Sequence, residues 1–393
     1  MPEAVSYAIG TSLLSAAVFT LLLPDVFGAL FPAMALRGWT VLLPSALLFL
    51  FWWGILVYPL SDLWAAMLLI TVLWLLQKLT GAGLSPARRA AAALAAGFLL
   101  YALYNTRTMY ILLLPLITLW LAVKLLWKHP LRGTALLLCY LAGSTLAALP
   151  QMAVNARLYN IASPTVQTGI LFGNSMDLIT WQCLVGLQYQ RYDTYIGDPS
   201  VHGPSLYFAD AAGQKLSVNR TEGIRTKGEY LQFVLQNLLS CSGVYGRHYL
   251  NMANNCYPET YVQHLHRDRT AEIVLNYLCW FTGLTGIFWR YSMYQAEPSD
   301  RRRKGAQLRQ RLLGRDFYLL FWCLSSLLSA AGAVEVRFFL PVYLLLYACI
   351  GGVVQQASYR AWIKRHAAFA CACGLVLFLL CNSVWSDTLG QLM

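Results

Sequence analysis

The sequence predicts an all-α polytopic membrane protein with about ten transmembrane helices and one outer loop domain between the sixth and the seventh. Three observations carry this. Of 393 residues, 58% are hydrophobic and only 12% charged, against roughly 45–50% apolar and about 25% charged in an ordinary soluble domain. Mean hydropathy is +0.52. Apolar runs of about 20 residues, the length that crosses a bilayer core, recur from the N-terminus to residue 385. A disordered chain, a disulfide scaffold and a conventional cytosolic enzyme are excluded together.

Spans are expected near 5–24, 38–58, 62–77, 89–104, 109–127, 133–152, 272–289, 316–333, 338–356 and 366–385, because each run is apolar and bounded by charged or turn-forming residues. Residues 1–154 then carry the first six helices, 155–270 the outer loop domain, and 271–393 the last four helices with a basic cytoplasmic loop at 291–315. The loop domain is polar, aromatic and turn-rich, with Tyr189, Tyr192, Tyr195 and the turn Gly197-Asp198-Pro199.

A net charge of +12 does not call for nucleic acid, since a membrane protein needs excess Lys and Arg on its cytoplasmic loops whatever its substrate. The run Arg301-Arg302-Arg303-Lys304, with Arg309 and Arg311, suits anionic cytoplasmic lipid. With that run inside and the spans alternating outward, 18 of the 29 Lys and Arg fall on the cytoplasmic side. Among the short loops and tails only Arg107 and Arg337 fall outside. Both termini and the 155–270 loop are then extracytoplasmic. Cys139, Cys279, Cys323, Cys349, Cys371, Cys373 and Cys381 lie in apolar runs, where a thiol acts as a small hydrophobe. Cys241 and Cys256 lie in the outer loop, where an oxidising compartment could join them.

Ionisable groups at membrane depth are expensive and therefore candidates for function. Asp62, in the tight turn Tyr58-Pro59-Leu60-Ser61-Asp62, could act as a base, hold a metal or pair with a cation; it or Ser61 could equally cap the next helix. Arg107, in Asn105-Thr106-Arg107-Thr108, could hold a phosphate oxygen or snorkel to the interface. Glu335 and Arg337 sit two residues apart in a short turn that forces both into the interface, which favours function over a simple ion pair. Asn155 and Arg157 stand where the sixth span meets the outer loop, suited to an incoming headgroup or to capping. His264 and His266 have metal-like spacing only in an extended segment, and adjacent Arg267 and Arg269 disfavour a cation. Asn219-Arg220-Thr221 fits a glycosylation sequon. No dinucleotide, Walker, zinc-protease or nucleophile-elbow motif occurs.

The order of these features resembles the GT-C membrane glycosyltransferases, the polyprenyl-phosphate-sugar-dependent class that includes protein O-mannosyltransferases and lipid A aminoarabinose transferases. The pieces that look alike are Tyr58-Pro59-Leu60-Ser61-Asp62, Thr106-Arg107-Thr108 running into Leu112-Leu113-Leu114-Pro115, the Pro150 to Asn155 exit, and Glu335-Val336-Arg337-Phe338-Phe339-Leu340-Pro341. They span about residues 38 to 356. The resemblance implies a bacterial cytoplasmic membrane protein whose partners are membrane lipid and a lipid-linked sugar donor, with no nucleic acid. Arg107 and Arg337 would contact the donor phosphate, Asp62 and Glu335 would assist the acceptor or a divalent cation, and Tyr58, Asn155 and Arg157 would complete the substrate-binding set. The family places an acidic residue on an outer loop after its first helix. Ahead of Asp62 this sequence offers only Glu3 and Asp25, so the resemblance implies a further helix and acidic loop upstream of Met1, or a partner subunit supplying them. Two other classes stay open: a non-catalytic subunit that binds lipid-linked sugar, and a transporter or flippase, for which internal repeats and charged or broken helices near the midplane are expected.

Overall fold

A computed structural model of the chain describes residues 2–57, 60–81, 83–127, 130–166, 178–194, 205–217, 223–255, 270–295, 314, 316–332 and 334–390. The first crossing, Val5–Leu30, is built of α1 (Pro2–Ala17), a five-residue π-helical turn (Val18–Leu22) and α2 (Leu23–Leu30). It is followed by α3 (Leu43–Val57), broken at Trp52, α4 (Ser61–Thr80), α5 (Pro86–Thr106), α6 (Leu113–Leu126) and α7 (Pro130–Tyr159). The central part holds α8 (Leu178–Gln188), β1 (Tyr189–Thr194), β2 (Ser205–Ala209), α9 (Ala211–Ser217), α10 (Lys227–Gln236) and α11 (Leu238–Ala253). The chain closes with α12 (Thr270–Gln295), α13 (Asp316–Ser329), α14 (Leu340–Val354), α15 (Ala357–Arg365) and α16 (Ala367–Gly390).

Eight helices among the described residues are long and apolar enough to cross a membrane, so the chain is a helical polytopic membrane protein. Two of the ten expected spans differ in kind. Helix α5 has 21 residues but is alanine-rich, and its surface is small-sided rather than strongly apolar. Helix α13 is apolar yet only 14 residues long. The all-α expectation needs one amendment, the antiparallel hairpin β1–β2. Tyr58, Tyr195, the 197–199 turn, Cys256, the sequon, His264, His266 and the basic run 301–304 with Arg309 and Arg311 lie outside the described residues.

Helix α14 is the buried centre. Its residues Leu340 to Cys349 are all buried, with Tyr343 and Tyr347 among them, and it packs on α12 and α3. Trp52, at the break in α3, donates to Tyr347 Oη at 3.1 Å. The tightest pairing is α5 against α7. A Cβ on Gly97 would lie 1.9 Å from the Tyr140 carbonyl oxygen, and one on Gly143 would lie 2.0 Å from that of Leu94. Ser144 Oγ donates to the Gly97 carbonyl at 3.1 Å. Without a hydrophobic drive between helices in lipid, small residues that let backbones touch are what hold such a pair.

The ends of the bundle differ. Lys78, Arg89, Lys124, Arg290 and the α15 residues Arg360, Lys364 and Arg365 collect at one end. The opposite end carries the N-terminus of α4, the C-termini of α5, α7 and α13, and the hairpin. The first and last helices also start and finish there, since Trp64 donates to Tyr7 Oη at 2.8 Å and Gln190 donates to Asp387 at 3.1 Å.

Replacing Gly143 or Gly97 by Leu drives a side chain into a backbone carbonyl, overpacking that costs about 1–3 kcal/mol or more. We expect a clear loss of thermal stability in detergent-solubilised protein for either variant. Gly10→Ala, whose Cβ meets nothing within 4 Å, is expected to melt like the parent.

Candidate functional site

Asp62 lies in the first turn of α4, where the positive end of the helix dipole favours a carboxylate. It does not cap the helix, because the preceding non-helical residue is Leu60, with no side-chain cap. Arg107 ends α5. Its N–H still bonds Leu103 at 3.0 Å, but its backbone is extended, and this turns the side chain back across the end of α4. The guanidinium Nη2 lies 2.5 Å from Asp62 Oδ1.

The segment between α13 and α14 brings the second pair. Glu335 is extended and precedes a 3-10 turn, Val336–Phe339, that leads into Pro341 at the start of α14. Arg337 Nε donates to Glu335 Oε2 at 2.8 Å, with Nη2 2.7 Å from the same oxygen, a side-on approach of a planar guanidinium that a lysine could not reproduce. Arg337 Nη1 then faces Asp62 Oδ2 at 3.6 Å. Two carboxylates and two guanidinium groups thus form one chain: Arg107, Asp62, Arg337, Glu335. Side-chain exposures of 4% for both acids, 19% for Arg107 and 14% for Arg337 mean that the pairing operates with little solvent screening. Phe338 lies beneath both cations, 4.6 Å from Arg107 and 5.9 Å from Arg337.

The hairpin covers this cluster. Tyr192 N–H donates to the Val334 carbonyl at 2.9 Å, which lays β1 along the 334–337 segment. Side chains alternate along a strand, and both faces of β1 are used. Arg191 and Asp193 point one way, paired at 2.8 Å, with Arg191 Nη1 donating to Asn254 O at 2.8 Å and its guanidinium over Trp385. Tyr192 and Thr194 point the other way. Thr194 donates through Oγ1 at 2.9 Å and through its N–H at 3.3 Å to Glu335 Oε1, its Oγ1 accepts from Arg337 Nη2 at 3.3 Å, and the Tyr192 phenol lies near both charges. Burial, opposed by Arg337, pushes the Glu335 carboxyl above its ordinary range. Burial and the Glu335 charge push the Tyr192 phenol up, so it stays protonated.

The oxygens of the two acids are not equivalent. Both Glu335 oxygens accept hydrogen bonds, whereas Asp62 Oδ2 is buried and accepts none among the described residues. Asp62 Oδ2 faces Arg337 Nη1 at 3.6 Å, a distance too long for a hydrogen bond. A divalent cation would have to displace guanidinium groups from these acids, and no group of three or more His, Cys, Asp or Glu among the described residues could hold one.

The other anticipated residues sit differently. Asn155 is fully buried and donates to Ser163 O and Thr165 O at 2.6 and 2.7 Å, closing the loop after α7. That loop is tied to α5 through Tyr104, which accepts from Val166 N–H at 2.9 Å. Arg157 is exposed on α7. Tyr58 lies outside the described residues. Cys241 is buried in the core of the central part with Leu187, Tyr230 and Phe233. Sequence reasoning named Tyr192 only as one of the loop's aromatics and missed Thr194; their signal was a Tyr- and Thr-bearing run ahead of Gly197-Asp198-Pro199.

A buried histidine braces this arrangement. His248 on α11 sets Nδ1 2.6 Å from Ala330 O and Nε2 3.1 Å from Tyr189 O, spanning the end of α13 and the start of β1. Burial holds its pKa below the ordinary value of about 6.5. The native state then binds this proton less tightly than the unfolded chain, so the stability contributed is full above about pH 6.5 and declines as pH falls below it.

Two outcomes follow. Asp62→Asn or Glu335→Gln leaves a buried guanidinium short of a partner, a change that typically costs about 3–5 kcal/mol; thermal melts should show the loss, and Asp62→Asn combined with Arg107→Gln should recover part of it. Melting temperature should also fall between about pH 7 and pH 5, and fall less in His248→Gln, which has no proton to gain.

The chain matches no family model, no curated protein and no solved structure.

Proposed function

We propose that this protein is a membrane glycosyltransferase of GT-C type, which moves a sugar from a polyprenyl-phosphate donor to an envelope glycan, lipid or protein acceptor at the outer face of a bacterial cytoplasmic membrane. The observation that carries the reading is the convergence of Asp62, Arg107, Glu335 and Arg337, from three separate turns, in one buried cluster at the end of the bundle away from the basic residues. In the proposed topology α5 and α13 also cross the membrane, giving ten spans with both termini outside.

In this reading the donor phosphate sits against Arg107 and Arg337, whose charges take up the negative charge that develops as it leaves. The acceptor hydroxyl oxygen attacks the anomeric carbon. The new carbon–oxygen bond forms as the bond to the phosphate oxygen breaks, and that electron pair departs with the polyprenyl phosphate. The hydroxyl proton passes to Asp62 Oδ2, which accepts no hydrogen bond among the described residues. Glu335 holds Arg337 in place and is not the base.

A second reading has a specific observation in its favour. Each acid already faces a guanidinium, which suits a subunit that binds lipid-linked sugar without transferring it and leaves the base to a partner chain. Both readings predict loss of radiolabelled polyprenyl-phosphate-sugar binding in nanodiscs on Arg337→Ala, measured per mole of folded protein. Only the first predicts sugar transfer by the chain itself that Asp62→Asn abolishes while donor binding survives. Full activity in both Arg107→Ala and Arg337→Ala would overturn the phosphate assignment.

A further inference from the structure

Helices α10 and α11 meet at Asn237, and α10 has three distinct faces. Tyr230 and Phe233 are buried in the core of the central part with Leu187, Leu216 and Ile224. Glu229, Gln232 and Gln236 form an exposed polar face. The third face is aliphatic and uncovered: Leu231 and Leu235, at i and i+4, are 58% and 64% exposed, and across the break at Asn237 the first residues of α11, Leu238 and Leu239, are 56% and 89% exposed. A helix with one face on protein, one polar and one of bare leucine has the pattern of a segment lying in a membrane interface.

The position of the elbow supports that occupant. Both of its helices are bonded to the end of α13: Tyr249 Oη, in the C-terminal half of α11, donates to Leu327 O at 2.7 Å, and Tyr230 Oη of α10 donates to Ala331 O, two residues past α13, at 3.3 Å. Helix α13 has 14 residues, about 21 Å at 1.5 Å per residue, against a hydrocarbon core of about 30 Å. A crossing that short draws whatever is bonded to its end down to the hydrocarbon boundary. Leu327 and Leu328, on the last turn of α13, are themselves about two-fifths exposed, so the helix end to which α10 and α11 are bonded is itself bare and aliphatic. The face has no aromatic or arginine anchor of the kind that carries protein interfaces.

We propose that the α10–α11 elbow is inserted in the membrane, its leucine face among the acyl chains of the leaflet on the side of the charged cluster. This rests on the membrane-spanning reading of α13 and is independent of any catalytic role. The elbow then fixes the height of the hairpin and the cluster above the bilayer.

The test places a photoactivatable diazirine amino acid singly at positions 235, 239 and 232 of the full chain, reconstituted in vesicles of phosphatidylethanolamine and phosphatidylglycerol. After irradiation, intact-mass analysis is expected to show phospholipid adducts at 235 and 239 at least fivefold above those at 232. Water insertion alone at 235 and 239, or equal lipid labelling at all three, would overturn the proposal. Crosslinked dimers at 239 in place of lipid adducts would assign the face to a second copy and overturn it as well.

Discussion

Two guanidinium groups and two carboxylates held out of water at one end of the bundle dictate what the surrounding chain must do. Stripping water from such charges costs several kcal/mol each, returned only when every charge meets a partner in good geometry. The partners come from the start of α4, the end of α5 and the turn before α14, so those three elements must be held to within a fraction of an ångström. The backbone contact at Gly97 and Gly143 locks α5 to α7, and the fully buried α14 fixes the turn that carries Glu335 and Arg337. Packing deep in the bundle is thereby tied to charge geometry at its end.

Much of the transmembrane layout was legible in the sequence, because a crossing helix is a local, one-dimensional signal. Asp62, Arg107, Glu335 and Arg337 stood out for the same reason, as charges in short turns between apolar runs. The Glu335–Arg337 ion pair was legible as one alternative, two residues apart in one turn, but which cations Asp62 meets was not: Asp62 and Arg337 are far apart along the chain, and nothing local marks which charge meets which. Asn155 illustrates the converse. It has the residue type and placement of a headgroup contact, but its amide is consumed by carbonyls eight and ten residues on. Helix α5 is an alanine-rich helix chosen for close approach, so hydropathy understates it. Helix α13 reads as a span by composition, and only the structure shows how short its helix is.

The central part was expected as a separate outer domain. Its own core is small, however, and much of its polar interior is shared with the bundle. Gln190, Asn251 and Thr388 form one hydrogen-bonded group, Asn254 donates to Cys381 O on α16, and Asn255 donates to Phe51 O on α3. Buried amides of this kind are costly when unpaired, which argues that hairpin, α11 and last helix assemble together.

Strand β1 has a consequence beyond covering the cluster. Past the irregularity at Gln190, which itself bonds Asn251 and Thr388, Arg191 and Asp193 are committed to the side of Asn254 and Trp385, and Tyr192 and Thr194 to that of Glu335 and Arg337. A slip of one residue would exchange the two sets, sending Arg191 toward Arg337 and Tyr192 into an ion-pair pocket. No intermediate placement satisfies either side. The register of β1 is therefore fixed from two sides at once, and with it the shape of the wall that the strand sets over the cluster.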